Sequence, residues 1–231
     1  MIAAVGVVIP AHDEEDLLPS CLSAVRLAAR PLAGVPVHLV VVADACGDRT
    51  ARLARAGGAE VVEIRARSVG TARAAGMRHV LRRTRHLDPA TVWLATTDAD
   101  TLVPPGWLAR QLRFAAGGWD AVVGTVSVTD WTQQPPGVPP AFRARYGAGP
   151  ESTHPHVHGA NLGFTAAAYL AAGGFGPSRT AEDHELVNAL SAAGRRILRT
   201  TTVSVVTSAR RCGRAPHGFS HLLAGLAAAE P

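Results

Sequence analysis

The stretch Thr91-Val92-Trp93-Leu94-Ala95-Thr96-Thr97-Asp98-Ala99-Asp100 decides the fold. Its first seven residues are apolar or threonine, too short a run for a helix and rich in strand formers, so they read as a strand. With no alternation of polar and apolar positions, that strand belongs inside a sheet covered on both faces. The apolar run stops at two acids, and Pro104-Pro105 then opens a helix over residues 107–116, since proline is tolerated in a first turn.

The same unit recurs upstream. Residues 3–9 read as a strand, followed by a helix whose face is marked by Leu17, Leu18, Cys21, Leu22 and Val25, with Pro19 in its first turn. Residues 37–43 form a second strand, followed by a helix over 49–56 closed by Gly57-Gly58. Residues 60–64 form a third, with a helix over 71–85 behind the turn Ser68-Val69-Gly70. Strands alternating with helices predict a parallel sheet with helices on both faces.

The second half departs from that rhythm. Residues 121–128 are strand-like, and 132–150, crowded with Pro and Gly, read as an irregular excursion. Then come a strand-like piece over 159–164, a helix over 181–193, short strands at 196–199 and 203–206, and a last helix from Gly218. There is no internal repeat and no linker, so the chain reads as one α/β domain.

Composition narrows the function classes. A chain of 231 residues, 47% hydrophobic and 18% charged, is long enough for one large core and too apolar for disorder. The net charge of +5 suits an anionic ligand. Every basic side chain other than histidine is arginine, and the arginines are scattered, which argues against a nucleic-acid partner. Cys21, Cys46 and Cys212 are odd in number and far apart, unlike a disulfide framework or a zinc knuckle. No stretch approaches the roughly 20 apolar residues of a membrane span, and no signal peptide is evident. The expectation is a cytoplasmic protein, or one peripheral to a membrane surface.

In an open parallel sheet, ligands bind beyond the carboxyl ends of the strands. Those ends are where the acids lie: His12-Asp13-Glu14-Glu15 after strand one, Asp44 and Asp48 after strand two, Asp98 and Asp100 after strand four. Any one of them reads as a cap or turn. Three sets on one edge instead call for a cation, and carboxylate oxygens suit magnesium or manganese. On an extended segment, residues two apart point the same way, so Asp98 and Asp100 can address one ligand.

With these pieces in place, the chain resembles the family-two glycosyltransferases of the GT-A fold. VVIPAHDEE (7–15), VVVADACGDRT (40–50), SVGTARAAG (68–76), TDADT (97–101), GANLGFTAAAYLAAGGF (159–175) and AEDHEL (181–186) match the family's pieces in its order. The resemblance implies a Rossmann-like, doubly wound mixed sheet in a single domain, with residues 1–101 holding a nucleotide sugar and 102–231 an acceptor. It implies a UDP- or GDP-sugar donor, an acceptor hydroxyl on a small molecule, lipid carrier or saccharide, and Mn2+ or Mg2+ as cofactor.

By the same resemblance Asp100 is the metal ligand and Asp98 the ribose contact. Pro10, Ala11, Glu14, Asp44 and Arg73 line the donor, and Asp183 is the general base of an inverting transfer. Glu182, His184, His158, Gly159 and Asn161 would meet the acceptor. His12-Asp13 replaces the family's usual aromatic-Asn pair, and Ala43 stands where a second Asp is common. The segment 207–219, with Arg210, Arg211 and Arg214, reads as a lid that brings cations to the diphosphate and His217 to the metal. His154, His156 and His158 would share one side of an extended segment. They suit a zinc site or, better, a pocket wall, since no acid or cysteine nearby completes a ligand set.

Competing functions fit less well. A nicotinamide oxidoreductase would carry Gly-x-Gly-x-x-Gly where this chain has Pro10-Ala11-His12-Asp13. A sugar-phosphate nucleotidyltransferase would carry a basic glycine-rich loop there. An inactive nucleotide-sugar-binding protein has no evident reason to keep Asp98, Asp100 and Asp183 together.

Overall fold

A computed structural model describes residues 1–32, 34–146, 154–214 and 218–228. The first half follows the predicted alternation: β1 (Ala4–Ala11), α1 (Leu18–Ala29), β2 (Val37–Asp44), α2 (Thr50–Ala56), β3 (Glu60–Ile64), α3 (Val69–Arg83) and β4 (Val92–Thr96). Next come β5 (Thr101–Leu102), α4 (Trp107–Ala116), β6 (Ala121–Ser127) and α5 (Val138–Tyr146). The chain continues with β7 (Leu162–Thr165), α6 (Ala166–Ala171), α7 (Glu182–Ala192), β8 (Ile197–Thr207) and α8 (Phe219–Ala228).

All eight strands join one sheet in the order β3-β2-β1-β4-β7-β6-β8-β5. The β3-β2-β1-β4 half is parallel, so its three acidic loops open on one edge. β7 runs antiparallel between β4 and β6 and makes the sheet mixed. Along β1 the side chains alternate between two apolar layers. Val5, Val7 and Ile9 pack on α1 and α4, while Val8 joins Val40, Val42 and the Met77 and Val80 face of α3.

Three sequence expectations change. Leu17 sits at the N-cap of α1 and is exposed, so Leu18 begins the buried face. The excursion at 132–150 contains a helix: Pro139 and Pro140 fall in the first turn of α5, where a missing N–H breaks no helical bond. Val138 and Phe142, four apart, bury against Leu223 and Leu226 of α8. The two short strands at 196–206 are a single strand, β8, interrupted by a bulge. Val123 of β6 pairs with Arg199, but Thr125 pairs with Ser204.

Asn161 fills that bulge. Its amide Nδ2 donates to the carbonyls of Thr125 (2.8 Å) and Val203 (2.9 Å), and its Oδ1 accepts from the Trp107 indole (2.8 Å). Gly124 admits it, since a Cβ there would lie 2.2 Å from the amide nitrogen. Asn161 is therefore not presented to an acceptor; its side chain is 1% exposed and fully bonded. Asn161→Ala leaves a buried indole N–H and two carbonyls unmatched and is expected to lower stability by about 3 kcal/mol. A shift of the urea midpoint at unchanged slope would register it.

Candidate active site

The carboxyl edge of the parallel strands forms one wall of a cleft of about 710 Å³, with the start of α7 and the loop after β8 opposite. Pro10 and Ala11, the last residues of β1, line its floor. Of the residues singled out from sequence, Glu14, Asp44, Arg73, Asp98, Asp100, His158, Gly159, Glu182, Asp183 and His184 also border it. Asn161 does not, and His217 lies outside the described residues.

Asp98 and Asp100 sit in a turn, not in the extended segment expected. The Thr101 N–H donates to the Asp98 carbonyl at 3.1 Å, and Ala99 between the acids is buried in the core. Both carboxylates face the cleft because the residue between them faces inward. The turn is pinned from below by the buried Cys21 thiol, which donates to the same carbonyl at 3.3 Å. It is pinned from the side where β5 meets the end of β8, with the Thr101 and Thr207 hydroxyls 3.0 Å apart.

Arg73 borders the cleft, and its guanidinium is engaged by protein groups. It is 2% exposed at the bottom of the cleft. Its guanidinium donates to Asp98 Oδ1 (2.5 Å), to Glu182 Oε1 and to the Thr96 hydroxyl (3.2 Å). Burial pulls its pKa down, and Asp98, Glu182 and Asp183 more than reverse this, so the net shift is upward. Gly159 makes room for it, because a Cβ there would fall 2.3 Å from Arg73 Nη2. Arg73 thus joins the β4 turn to α7 and has few donors left for a nucleotide.

The turn into α7 needs an unusual backbone. Ala181 lies at φ 61°, in the left-handed region, immediately before Glu182. Glu182 then points down to Arg73, while Asp183 is half-buried beside the cleft. The Asp183 oxygens accept the Gly159 N–H (2.7 Å) and the His184 N–H (2.8 Å). His184 is exposed at the rim.

Asp44 is a loop organiser. Its carboxylate accepts the backbone N–H groups of Ala66 (2.7 Å), Arg67 (2.9 Å) and Ser68 (2.8 Å), holding the third loop against the second. Any base contact shares its oxygens with these three bonds.

Of the three arginines that the sequence offered in the 207–219 segment without ranking them, Arg210 is the one that reaches the acids. From the loop after β8 it grips Glu14 with both terminal nitrogens (2.5 and 2.8 Å) and reaches Asp100 Oδ2 at 3.0 Å. Arg214 donates to the Asp13 carbonyl at 2.9 Å. The arginine-rich composition of 207–219 was the available signal, but composition cannot say which arginine reaches which acid.

Burial raises the Asp100 pKa to about 7; Arg210 opposes the shift, while Asp98 and Glu14 add to it. Two consequences have definite signs. Without a cation, the folded chain holds this proton up to about pH 7 and the unfolded chain only to 3.8, the ordinary value. The stabilisation from this group is therefore complete below pH 3.8 and lost as the pH rises through 7. A cation on Asp100 must displace the proton, so Mn2+ affinity is expected to fall about tenfold per pH unit below 7. Calorimetric titrations from pH 5.5 to 8 would show it, and a flat profile would contradict it.

The histidines share one side, as the alternation predicts, but stack instead of converging. His156 lies 3.9 Å from the Tyr146 ring, and ring centroids are 6.0 Å apart for His154–His156 and 6.3 Å for His156–His158. His154 Nε2 is hydrogen-bonded to the Val123 carbonyl, and His158 to the Tyr146 hydroxyl. Burial lowers the His158 pKa to about 4 despite Asp183 nearby, so it stands neutral at the cleft wall. Among the described residues these three form no metal-ligand group.

Similarity searches agree with this architecture. The mannosyltransferase PcManGT of Pyrobaculum calidifontis, solved with GDP-Man and Mn2+, superposes with a TM-score of 0.66 at 20% identity, over 96% of this chain and 68% of that one. A fragment of S. aureus TarS (residues 1–349) in complex with UDP-GlcNAc gives 0.64 at 15% identity, over 93% of this chain and 60% of that one. Glucosyl-3-phosphoglycerate synthase from Mycobacterium tuberculosis, with Mn2+, UDP and glucosyl-3-phosphoglycerate, gives 0.54 at 16%, over 97% and 76%. At these identities the likeness is one of fold. No curated protein gives a significant sequence match. Residues 6–170, well over half of the chain, match the profile of glycosyl transferase family 2, and the chain belongs to that family of glycosyltransferases.

Proposed function

We propose that the chain transfers a sugar from a nucleoside diphosphate sugar to an acceptor hydroxyl, with inversion at the anomeric carbon and dependence on Mn2+ or Mg2+. One observation carries the reading: Arg73 bonds both Asp98 and Glu182, so the acidic turn and the Asp183 end of α7 face one another across a single cleft.

The residues fit a hard cation. Asp100 and Glu14 make an anionic pocket that already attracts a cationic group, Arg210. Among the described residues Asp98 and Asp100 do not complete a three-ligand cage. The remaining positions then fall to the diphosphate and water, as is usual for Mg2+ and its analogues. When bound, the ion supplies Lewis-acid neutralisation of the leaving diphosphate. Asp98 meets the ribose or the ion's water shell, and Pro10, Ala11, Glu14 and Asp44 form the nucleoside wall.

Asp183 takes the proton of the acceptor hydroxyl as its oxygen bonds C1 and the bond from C1 to the diphosphate oxygen breaks. His158, His184 and the Gly159 backbone orient the acceptor, which is a small molecule, a lipid carrier or a saccharide. Residues 1–101 form the donor half and 102–231 the acceptor half, with 207–219 as a lid. Neighbours solved with GDP-Man or UDP and Mn2+ support a UDP- or GDP-sugar and a divalent ion. Among the described residues no helix is long and apolar enough to cross a membrane, and we place the reaction in the cytoplasm or at a membrane surface, with no nucleic-acid partner.

Asp100→Asn tests the metal assignment. Donor hydrolysis in Mn2+ is expected to fall at least a hundredfold, a loss of several kcal/mol of charge stabilisation. The Mn2+-dependent part of the thermal shift with UDP or GDP should vanish with it. If the variant keeps its manganese dependence, Asp100 is not the ligand.

A further inference from the structure

A second ligand set lies beside the donor cleft, built from the loops after β1 and β2. His12, Asp13 and Cys46 each offer one atom, and those three atoms lie within 4.8 Å of one another. All three side chains are half-buried, so water and ions reach them.

His12 and Asp13 are each held through the polar atom that would not face the ion. His12 Nδ1 is 2.7 Å from the Asp44 carbonyl, which can only accept, so Nδ1 carries the proton and Nε2 keeps its lone pair. Asp13 Oδ1 accepts the Gly47 N–H at 2.7 Å, which leaves Oδ2 unbonded 3.9 Å from His12 Nε2. Cys46 Sγ lies 3.4 Å from the Ala11 carbonyl and is also hydrogen-bonded to the Asp13 backbone and the Thr50 side chain. A carbonyl behind a histidine and a backbone N–H behind a carboxylate are the usual outer supports of a metal site.

The ligand chemistry sets the ion. One imidazole, one carboxylate and one thiolate suit zinc, whereas the all-oxygen site at Asp100 suits manganese or magnesium. Ligand atoms around tetrahedral zinc are separated by about 3.5 Å, so from within 4.8 Å of one another the set needs to contract by roughly 1.3 Å at most.

We infer that His12 Nε2, Asp13 Oδ2 and Cys46 Sγ bind a zinc ion whose fourth position is open to water. As the Zn–S bond forms, the thiol proton leaves to solvent and the contact to Ala11 is lost. The ion joins the first and second donor loops and fixes the His12 ring at the cleft edge. The inference is independent of the transfer reaction.

Cobalt is the probe, because a thiolate on tetrahedral Co2+ gives a near-ultraviolet charge-transfer band. The full-length chain carrying Cys212→Ser, which removes the exposed thiol, is titrated with Co2+ and then Zn2+. One equivalent should produce the band, and Zn2+ but not excess Mn2+ should abolish it. In that background Cys46→Ser should remove the band, His12→Ala should weaken Co2+ binding at least tenfold, and Asp100→Asn should change neither. Circular dichroism of each variant confirms the fold. Absence of the band in the Cys212→Ser chain overturns the assignment. So does its survival in Cys46→Ser, or its loss in Asp100→Asn.

Discussion

Replacing Asp183 with asparagine is expected to slow sugar transfer by about 10³- to 10⁴-fold, the upper range for removal of a positioned base. The substitution keeps size and shape. An asparagine oxygen can still accept the Gly159 N–H at the start of α7, so the backbone should stay in place. What disappears is a group able to take a proton. Nucleotide binding with Mn2+ should survive, because Asp183 lies across the cleft from Asp100 and its immediate bonds are to Gly159 and His184. Single-turnover transfer measured beside a thermal-shift titration with UDP or GDP separates the two effects. Near-normal transfer with intact donor binding would mean that another group accepts the proton.

Arg73→Met carries the largest expected loss of stability, about 3–5 kcal/mol. Methionine fills similar space without charge, so packing around Phe175, whose ring lies 5.9 Å from the guanidinium, changes little. The loss comes from Glu182, 5% exposed and left without its counter-ion, and from Asp98. Burial already pushes the Glu182 pKa up, so without Arg73 it should take a proton. The double variant Arg73→Met/Glu182→Gln should therefore recover part of the loss, an interaction that a double-mutant cycle reads directly. A loss below about 1 kcal/mol in Arg73→Met would show that the pair does not hold the cleft together.

How far the fold could be read from sequence follows from which contacts are local. Parallel strands buried on both faces announce themselves as runs such as residues 37–43, and acids at their ends announce the open edge. The departures sit where distant residues decide. Nothing in the run Ala166–Ala171 marks a helix by periodicity, and α5 is hidden by its prolines. The bulge in β8 read as a gap between two strands because its partner residues, Thr125 and Asn161, lie far back in the chain.

The candidate site shows the same division. The acids and the α7 turn were legible as motifs, but the bonds of their side chains were not. Asp44 and Arg73 both line the cleft, but the three backbone donors on Asp44 and the carboxylates around Arg73 come from distant parts of the chain. Arg210 meets Glu14 across 196 positions of chain, a pairing that no local pattern could reveal.

The grip of Arg210 on Glu14 and Asp100 has a thermodynamic corollary. Glu14 and Asp100 already have a cationic partner before any ligand arrives, so the divalent ion proposed above would enter by exchange. One counter-ion would leave as another took its place, which would free the guanidinium for the anionic part of the proposed donor. The ion alone meets a competitor tethered at a high local concentration, whereas the ion and the diphosphate together give that competitor a new partner. Cation and nucleotide should accordingly bind as a cooperative pair, each weak without the other.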